Sequence, residues 1–473
     1  MQTLLILLYV YFVSFLDKPE KTAPQLSPRA VEQRTKWKIP TDAMDYPVSP
    51  MYMNTLTKKG VKIYHKSRWF NGVTCEMDTA TASEVAKLSF VTGVEMTRDN
   101  SDPIYGAPKR RNRISAVSPL PIDYNYTDAQ LALYNLMPLH QAGYEGQGIL
   151  MTVCDGGFYN ADRLDCFRQE ELQLGAFDFT DDTDDIYGST GAHGTYCLSA
   201  ISGIAERFHG AATKAQYYLM RSEEVENDRE SPKEMDNLVA ALETADSLGV
   251  NVFSVSLGYA MFDHYAWTLD KTTDLDGKTT RASRAATIAA RKGMLVCVAA
   301  GNEGYSAWKT ISAPADADSV LTVGAVAVDS IIGAFSSYGP SSDGRIKPDV
   351  CAVGVQATLI TPDGIIVHSN GTSFATPLLA GLAASLWSAL PDENAMQIRE
   401  RIIRSADRYN SPDYQQYGYG IPDAWKAYTM ELPLGTESVQ PSEVSHQKIL
   451  RDGQILIIRN GETYTVSGLK VED

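Results

Sequence analysis

Four polar residues lie at positions from which one catalytic site could be assembled. Asp155 follows an apolar run and precedes two glycines, and His193 opens a helical run. Asn302 follows another apolar run, and Ser373 begins an apolar helical stretch. A serine nucleophile needs a base, the base needs a carboxylate to orient it, and the developing oxyanion needs a hydrogen-bond donor. Together the four residues predict nucleophilic catalysis by Ser373.

Each residue also has an ordinary structural explanation. Ser373 could be a helix cap, Asp155 a turn residue, His193 a buried or capping imidazole, and Asn302 a left-handed turn position. Taken singly, these explanations are favoured. They are not independent, because all the roles of one mechanism occur together. A base must be neutral to accept a proton, so activity is expected to rise with pH through roughly 6–8.

The elements that must position these residues follow from the apolar pattern of residues 126–432. Short apolar runs alternate with helical stretches there; the runs are 149–154, 215–220, 250–255, 294–299 and 320–326. This alternation predicts an α/β fold with a mostly parallel sheet flanked by helices. Such sheets carry their sites at the carboxyl ends of strands, which is where Asp155 and Asn302 stand.

A second, smaller α+β domain is predicted for residues 17–105. Its pattern gives a helix at 49–59, strands at 61–66 and 73–77, a helix at 79–88 and a strand at 91–96. Residues 1–16 contain an apolar run with two open interpretations. It could be a signal-like segment, although no Lys or Arg precedes it. It could instead be the first strand of the small domain, since β-forming residues alternate in it.

Two further segments flank the large domain. Residues 106–125 contain prolines and the basic cluster Lys109–Arg113, and they predict an exposed linker, where proteolytic cleavage concentrates. A charged loop that is never cut is the alternative. Residues 433–473 predict a short C-terminal β flap, because an apolar strand at 455–458 precedes the turn pair Asn460-Gly461.

The catalytic candidates occur in strings that resemble the subtilisin-like serine proteases, or subtilases. The resemblance covers roughly residues 130–430, and its strings are VCDGG, HGT, SVSLG, AAGNEG, FSSYGPSSDGRIKPDV and NGTSFATP. It implies that Ser373 attacks the scissile carbonyl, that His193 accepts the serine proton and that Asp155 orients the imidazole. The Asn302 side chain and the Ser373 backbone N–H would form the oxyanion hole.

The same resemblance implies how a polypeptide substrate is held. Ser256, Leu257 and Gly258 would pair with an extended peptide through its backbone. Ala300 and Gly301 would help to form the pocket for the residue before the cut. One position departs from the family, which usually has a small hydroxyl residue or Ala where this chain has Gly156.

Residues 17–105 resemble a subtilase propeptide, which implies a precursor whose N-terminal domain inhibits the enzyme intramolecularly. The tail resembles the end of a sorting domain for type IX secretion, and a simple terminal hairpin is the alternative. Together these resemblances predict a zymogen that is secreted or displayed at the cell surface, by way of the periplasm. Its activity would be that of a serine endopeptidase, with polypeptides as substrates.

Composition limits the cofactors and the competing functions. The net charge of −16 argues against a nucleic-acid partner, and six cysteines without a C-x-x-C pair argue against structural zinc. No metal or other cofactor is expected. An acidic run could bind calcium, but a solvated loop is favoured; the run is Asp178, Asp181, Asp182, Asp184 and Asp185.

The alternative function is a catalytically silent binding or surface protein with the subtilase fold. An α/β-hydrolase esterase is disfavoured, because Ser254–Gly258 lacks the first glycine of G-x-S-x-G.

Overall fold

A computed structural model describes most of the chain, which divides into two compact units, residues 1–430 and 431–473. The described residues are 8–20, 22–99, 118–119, 126–167, 171–180, 185–188, 191–225, 230–262, 269–432, 447–451, 454–459 and 462–465. Among them, no helix combines the length and the apolar character needed to cross a bilayer.

The N-terminal domain consists of a four-stranded antiparallel sheet and three helices. Its elements are β1 (Tyr9–Phe15), α1 (Pro28–Lys36), α2 (Pro50–Lys58), β2 (Lys62–Ser67), β3 (Gly72–Met77), α3 (Thr79–Val85) and β4 (Val91–Arg98). The strand order is β2-β3-β1-β4, so β1 lies inside the sheet and pairs with both β3 and β4. The apolar run with two open interpretations therefore contains a strand of this domain.

Helix α1 was not predicted from the sequence, although its start signals are present. The Ser27 side chain accepts a hydrogen bond from the Ala30 N–H, and Pro28 occupies the first helical position. The helix is mostly polar, with Ala30 and Arg34 as its buried residues. Apolar periodicity is therefore weak here, because a charged side chain takes one of the buried positions.

The large domain contains the remaining elements of the first unit. Its helices are α4 (Asp128–Leu133), α5 (Met137–Gln141), α6 (His193–Ser202), α7 (Pro232–Leu248), α8 (Arg281–Arg291), α9 (Thr372–Ala389), α10 (Ala395–Ser405) and α11 (Ala424–Thr429). Its strands are β5 (Ser118–Pro119), β6 (Leu150–Asp155), β7 (Gln173–Asp178), β8 (Ile204–Ala205), β9 (Phe208–His209), β10 (Gln216–Arg221), β11 (Val252–Val255), β12 (Leu295–Ala299), β13 (Leu321–Val326), β14 (Val350–Val353), β15 (Ala357–Ile360) and β16 (Ile366–Ser369).

The predicted fold class is confirmed by a seven-stranded parallel sheet in the order β14-β13-β12-β11-β6-β10-β7. Two of its strands were not predicted. Strand β7 lies at the sheet edge and is only partly buried, so it has no continuous apolar run. Strand β14 is fully buried but has four residues, which is too short to be recognised by pattern.

Helices α7 and α9 have clear sequence reasons for their bounds. Pro232 occupies the first turn of α7, Glu234 hydrogen-bonds back to the Ser231 N–H, and Gly249 ends the helix with a φ of +77°. Helix α9 is buried over most of its 18 residues and begins directly after Gly371. Ser373 is consequently the second residue of a helix that runs through the core.

The N-terminal domain packs against α7 and α8 through buried charges. The Glu243 carboxylate accepts hydrogen bonds from Ser67 Oγ at 2.6 Å and from the Arg68 N–H at 2.9 Å. The Asp246 carboxylate binds both Arg34 at 2.8 Å and Arg68 at 2.6 Å. This face of α7 is therefore matched in charge to the N-terminal domain.

The second unit contains a three-stranded antiparallel sheet, where the sequence pattern predicted a short β flap. Its strands are β17 (Gln447–Arg451), β18 (Gln454–Arg459) and β19 (Glu462–Thr465), in that order. The turn pair Asn460-Gly461 and the basic cluster Lys109–Arg113 lie outside the described residues.

Candidate active site

The candidate site lies where four neighbouring parallel strands end. Strands β12, β11, β6 and β10 are adjacent in the sheet. Asp155 is the last residue of β6, Ser256 directly follows β11, and Asn302 lies three residues beyond β12. Because parallel strands end at one edge of a sheet, these side chains are brought to a common cleft.

Asp155 and His193 form a close pair. His193 Nδ1 lies 2.7 Å from Asp155 Oδ1 and 3.0 Å from Oδ2. A carboxylate can only accept, so Nδ1 carries the proton and Nε2 of the neutral imidazole is the free acceptor. Burial alone would lower the pKa of His193, but the Asp155 charge, helped by Cys197, raises it well above the usual 6.5. The pair therefore favours an imidazolium, which is the species formed when His193 accepts a proton.

Ser373 lies at the positive end of α9, next to Ser256. Its hydroxyl donates to the Ser256 carbonyl at 3.3 Å, and Ser256 Oγ donates to the Ser373 carbonyl at 2.7 Å. Within the described residues no hydrogen bond joins Ser373 Oγ to His193. A rotation about the Cα–Cβ bond of Ser373 is therefore needed before His193 can take the hydroxyl proton.

Asn302 is oriented by the residue that precedes Ser373. Asn302 Oδ1 accepts hydrogen bonds from the Thr372 N–H at 2.9 Å and from Thr372 Oγ1 at 3.0 Å. A backbone N–H can only donate, so the amide orientation is determined and the Nδ2 donor is left for the cleft. Together with the Ser373 N–H at the start of α9, this donor can stabilise a developing negative charge.

Most of the predicted site residues line a single cleft of about 290 Å³. The cleft brings together Asp155, His193, Ser256, Leu257, Gly258, Asn302 and Ser373. Ala300 and Gly301 are not among its lining residues. Ala300 is fully buried, and the Gly301 N–H donates to Thr372 Oγ1 at 3.2 Å. Their part in holding the residue before the cut stays a prediction.

The departure at Gly156 has a steric reason. A Cβ atom built at Gly156 would lie 2.7 Å from Val225 Cγ1 and 3.5 Å from Glu223 Cβ. A side chain at this position would therefore require the Val225 side chain to move. The Gly156 N–H donates to Asp155 Oδ1 at 2.8 Å, so the carboxylate keeps a second hydrogen bond without a neighbouring hydroxyl.

Cys197 lies below the imidazole, one helical turn after His193. Its Sγ is 3.7 Å from His193 Nδ1 and 3.4 Å from the Ser373 carbonyl oxygen. Burial raises the pKa of this thiol to about 11, and its exposure is 0%. A buried thiol with a raised pKa reacts slowly, so Cys197 is a core residue rather than a reactive one.

The acidic run that could bind calcium is only partly described. The Asp178 carboxylate pairs with Arg221 at 3.2 Å, and Asp185 Oδ1 accepts hydrogen bonds from the Tyr187 and Gly188 N–H groups. Asp181, Asp182 and Asp184 lie outside the described residues. Calcium binding by this run therefore stays untested.

Sequence reasoning missed an acidic wall in the same cleft. It consists of Glu223, Glu224, Glu230 and Glu234. The available signal was the charged stretch after the apolar run at 215–220, since residues past a strand end lie at the site edge.

The fold and the site together define an α/β serine endopeptidase, and the chain belongs to the subtilase family. The model described as the subtilase family matches residues 146–420. A model described as the peptidase S8 propeptide domain of Bacteroidota matches residues 10–113. The protein is therefore a serine protease made as a precursor with an N-terminal propeptide.

Characterised relatives agree with this assignment. The chain is 28% identical to serine protease AprX of Bacillus subtilis (strain 168), over 59% of this chain and 66% of the relative. It is 25% identical to subtilisin NAT of Bacillus subtilis subsp. natto, over 78% of this chain and 83% of the relative. The crystal structure of MycP1 from Mycobacterium smegmatis shares the fold, with a TM-score of 0.53, 23% identity, and 68% of this chain and 90% of that chain covered.

Proposed function

We propose that this endopeptidase hydrolyses polypeptides through Asp155, His193 and Ser373. The observation that carries the proposal is the Asp155–His193 pair at 2.7 Å in the cleft that also contains Ser373 and Asn302. Ser373 Oγ attacks the scissile carbonyl carbon while His193 Nε2 takes the hydroxyl proton. Asn302 Nδ2 and the Ser373 N–H stabilise the oxyanion.

The remaining steps use the same side chains. The tetrahedral intermediate collapses, the C–N bond breaks, and His193 delivers its proton to the departing amine. Water, deprotonated by His193, then attacks the acyl-enzyme. The ester C–O bond breaks, His193 returns its proton to Ser373 Oγ, and the new carboxylate is released. Each step is supplied by residues of this chain, so the proposed mechanism requires no cofactor.

We further propose that the N-terminal domain inhibits the enzyme in the precursor and that the protein acts outside the cell. The charge-matched contacts between this domain and α7 support the first part, as does the match to a propeptide domain. The similarity to subtilisins supports secretion. Passage through the periplasm and a sorting role for residues 433–473 stay predictions.

The test of this function is Ser373→Ala, with the exposed Ser411→Ala as a matched control. Ser373→Ala should abolish peptide hydrolysis, labelling by a fluorophosphonate probe, and release of the N-terminal domain. Ser411→Ala should retain all three. Hydrolysis or release by Ser373→Ala would exclude the proposed nucleophile. Failure of the mature wild-type protein to be labelled would favour a silent binding protein.

A further inference from the structure

The helix that carries the nucleophile contains a proline about one turn after it. Pro377 lies inside α9, four residues beyond Ser373. In an α-helix a carbonyl accepts a hydrogen bond from the N–H four residues later, and proline has no N–H. The Ser373 carbonyl therefore lacks its usual partner within the helix, although Ser373 is only 9% exposed. A buried carbonyl without a partner is costly, so this oxygen needs a donor from another element.

Two other elements supply the donors that the helix cannot. Ser256, which directly follows β11, donates from Oγ to the Ser373 carbonyl oxygen at 2.7 Å. Cys197 of α6 adds a weaker bond from Sγ at 3.4 Å. The thiol is protonated and can donate, because burial raises its pKa to about 11. The main chain of the nucleophile is therefore held by a strand end and by the helix that carries His193.

Ser256 uses separate groups for two contacts with the nucleophile. Its Oγ binds the Ser373 carbonyl, while its own carbonyl accepts the Ser373 hydroxyl at 3.3 Å. The second bond has to break when the hydroxyl turns toward His193. The first bond involves only the main chain of Ser373 and need not change. The Ser256 side chain can therefore hold the nucleophile in place while its hydroxyl moves.

We propose that Ser256 is a positioning residue, whose hydroxyl replaces the helical hydrogen bond that Pro377 removes and thereby fixes Ser373 relative to His193. This inference rests on the proposed function, because it concerns the nucleophile of that mechanism. It is separate from the expected pairing of Ser256–Gly258 with a substrate, which would use backbone atoms. Ser256 Oγ acts through Ser373 and takes no part in making or breaking the substrate bonds.

Loss of this hydroxyl is expected to slow catalysis more than it weakens substrate binding. Without it the main chain of Ser373 could shift, and even a small shift of a nucleophile is costly because the reacting atoms must be aligned. The backbone of Ser256 would remain available to a substrate peptide. Ser256→Ala should therefore lower kcat and the rate of labelling by a fluorophosphonate probe about tenfold, while KM changes less than about threefold.

The chain offers a matched control two residues before Ser256, within β11. Ser254 Oγ is also buried, but it has no hydrogen-bond partner within the described residues. Ser254→Ala removes the same hydroxyl from the same strand and should leave kcat and the labelling rate within about twofold of wild type. An equal loss in the two variants would assign the effect to strand packing and would overturn the inference.

The sharpest test is a second substitution, Pro377→Ala, which restores an N–H to the helix. In the Ser256→Ala background this N–H can bind the Ser373 carbonyl, so Pro377→Ala should raise the labelling rate at least about threefold. In the wild-type background the carbonyl already has a strong donor, and the rate should change less than about twofold. A loss of rate in both backgrounds, or no recovery in the first, would contradict the positioning role.

The outcomes also separate this inference from the function beneath it. If Ser256→Ala is labelled at the wild-type rate, the inference fails and the endopeptidase stands. If the mature wild-type protein is neither labelled nor active on peptides, the proposed function fails, and the positioning role fails with it. Should Ser256→Ala not mature, Pro377→Ala should restore maturation of the double variant, and a double variant that stays immature would count against the role of Ser256.

Discussion

At the scale of single residues, the Asp155 carboxylate controls the protonation of His193. The two are 2.7 Å apart and Asp155 is fully buried, so water screens their attraction weakly. The attraction between Asp155 and His193 has two consequences for catalysis. The imidazolium formed during the reaction is stabilised, while the neutral imidazole that begins the reaction becomes a smaller fraction of the enzyme at neutral pH.

This balance predicts the pH profile of the mature enzyme. A raised pKa keeps His193 protonated to higher pH, so kcat/KM should rise with pH and the midpoint of the rise should lie above 6.5, the ordinary imidazole value. The measurement is kcat/KM for one neutral peptide across the pH range. Asp155→Asn should move the midpoint down and greatly reduce activity, whereas the exposed Asp329→Asn should leave both unchanged. A wild-type midpoint at or below 6.5 would contradict the assigned pairing.

At the scale of elements, the sequence predicted the features that short local motifs determine. Asp155, His193 and Ser373 were recognised because each stands in a short motif next to a strand end or helix start. Helix α1 and strand β7 were missed because their burial depends on partners distant in the sequence. The acidic wall was missed for the same reason, since Glu223 and Glu234 meet only when β10 and α7 have been placed.

Helix α1 is held by ion pairs with residues that are distant from it in the sequence. Arg34 is nearly buried and binds Asp45 of its own domain at 2.7 Å and Asp246 of α7 at 2.8 Å. Both carboxylates have a second cation, Lys292 and Arg68 respectively. Loss of Arg34 would therefore weaken a buried network without leaving any carboxylate entirely unpaired.

We expect Arg34→Ala to loosen the N-terminal domain from α7. In the inactive Ser373→Ala precursor it should lower the free energy of unfolding by about 2–3 kcal/mol, less than the loss of the only partner of a buried charge. Thermal or urea unfolding provides the measurement. Lys36→Ala is the matched control on the same helix, because Lys36 pairs with the exposed Asp392 at 3.3 Å and should contribute less than about 1 kcal/mol. Equal effects of the two substitutions would show that the buried network does not hold the domain.

At the scale of the whole molecule, two domains of one chain must be joined and then separated. Strand β4 of the N-terminal domain ends at Arg98. Ser118 and Pro119 form β5, which pairs with β16 of the large domain. The connection between the two domains therefore lies between these points, and the basic cluster Lys109–Arg113 falls within it.

This arrangement predicts where the precursor is cut. Cleavage before residue 98 would leave part of β4 on the enzyme, and cleavage after residue 119 would remove β5 from its sheet. The mature protein should thus begin between residues 100 and 118. N-terminal sequencing of the mature protein measures this directly. The Ser373→Ala precursor should stay intact. A mature N terminus within β4, or one beyond β5, would contradict this placement of the cut.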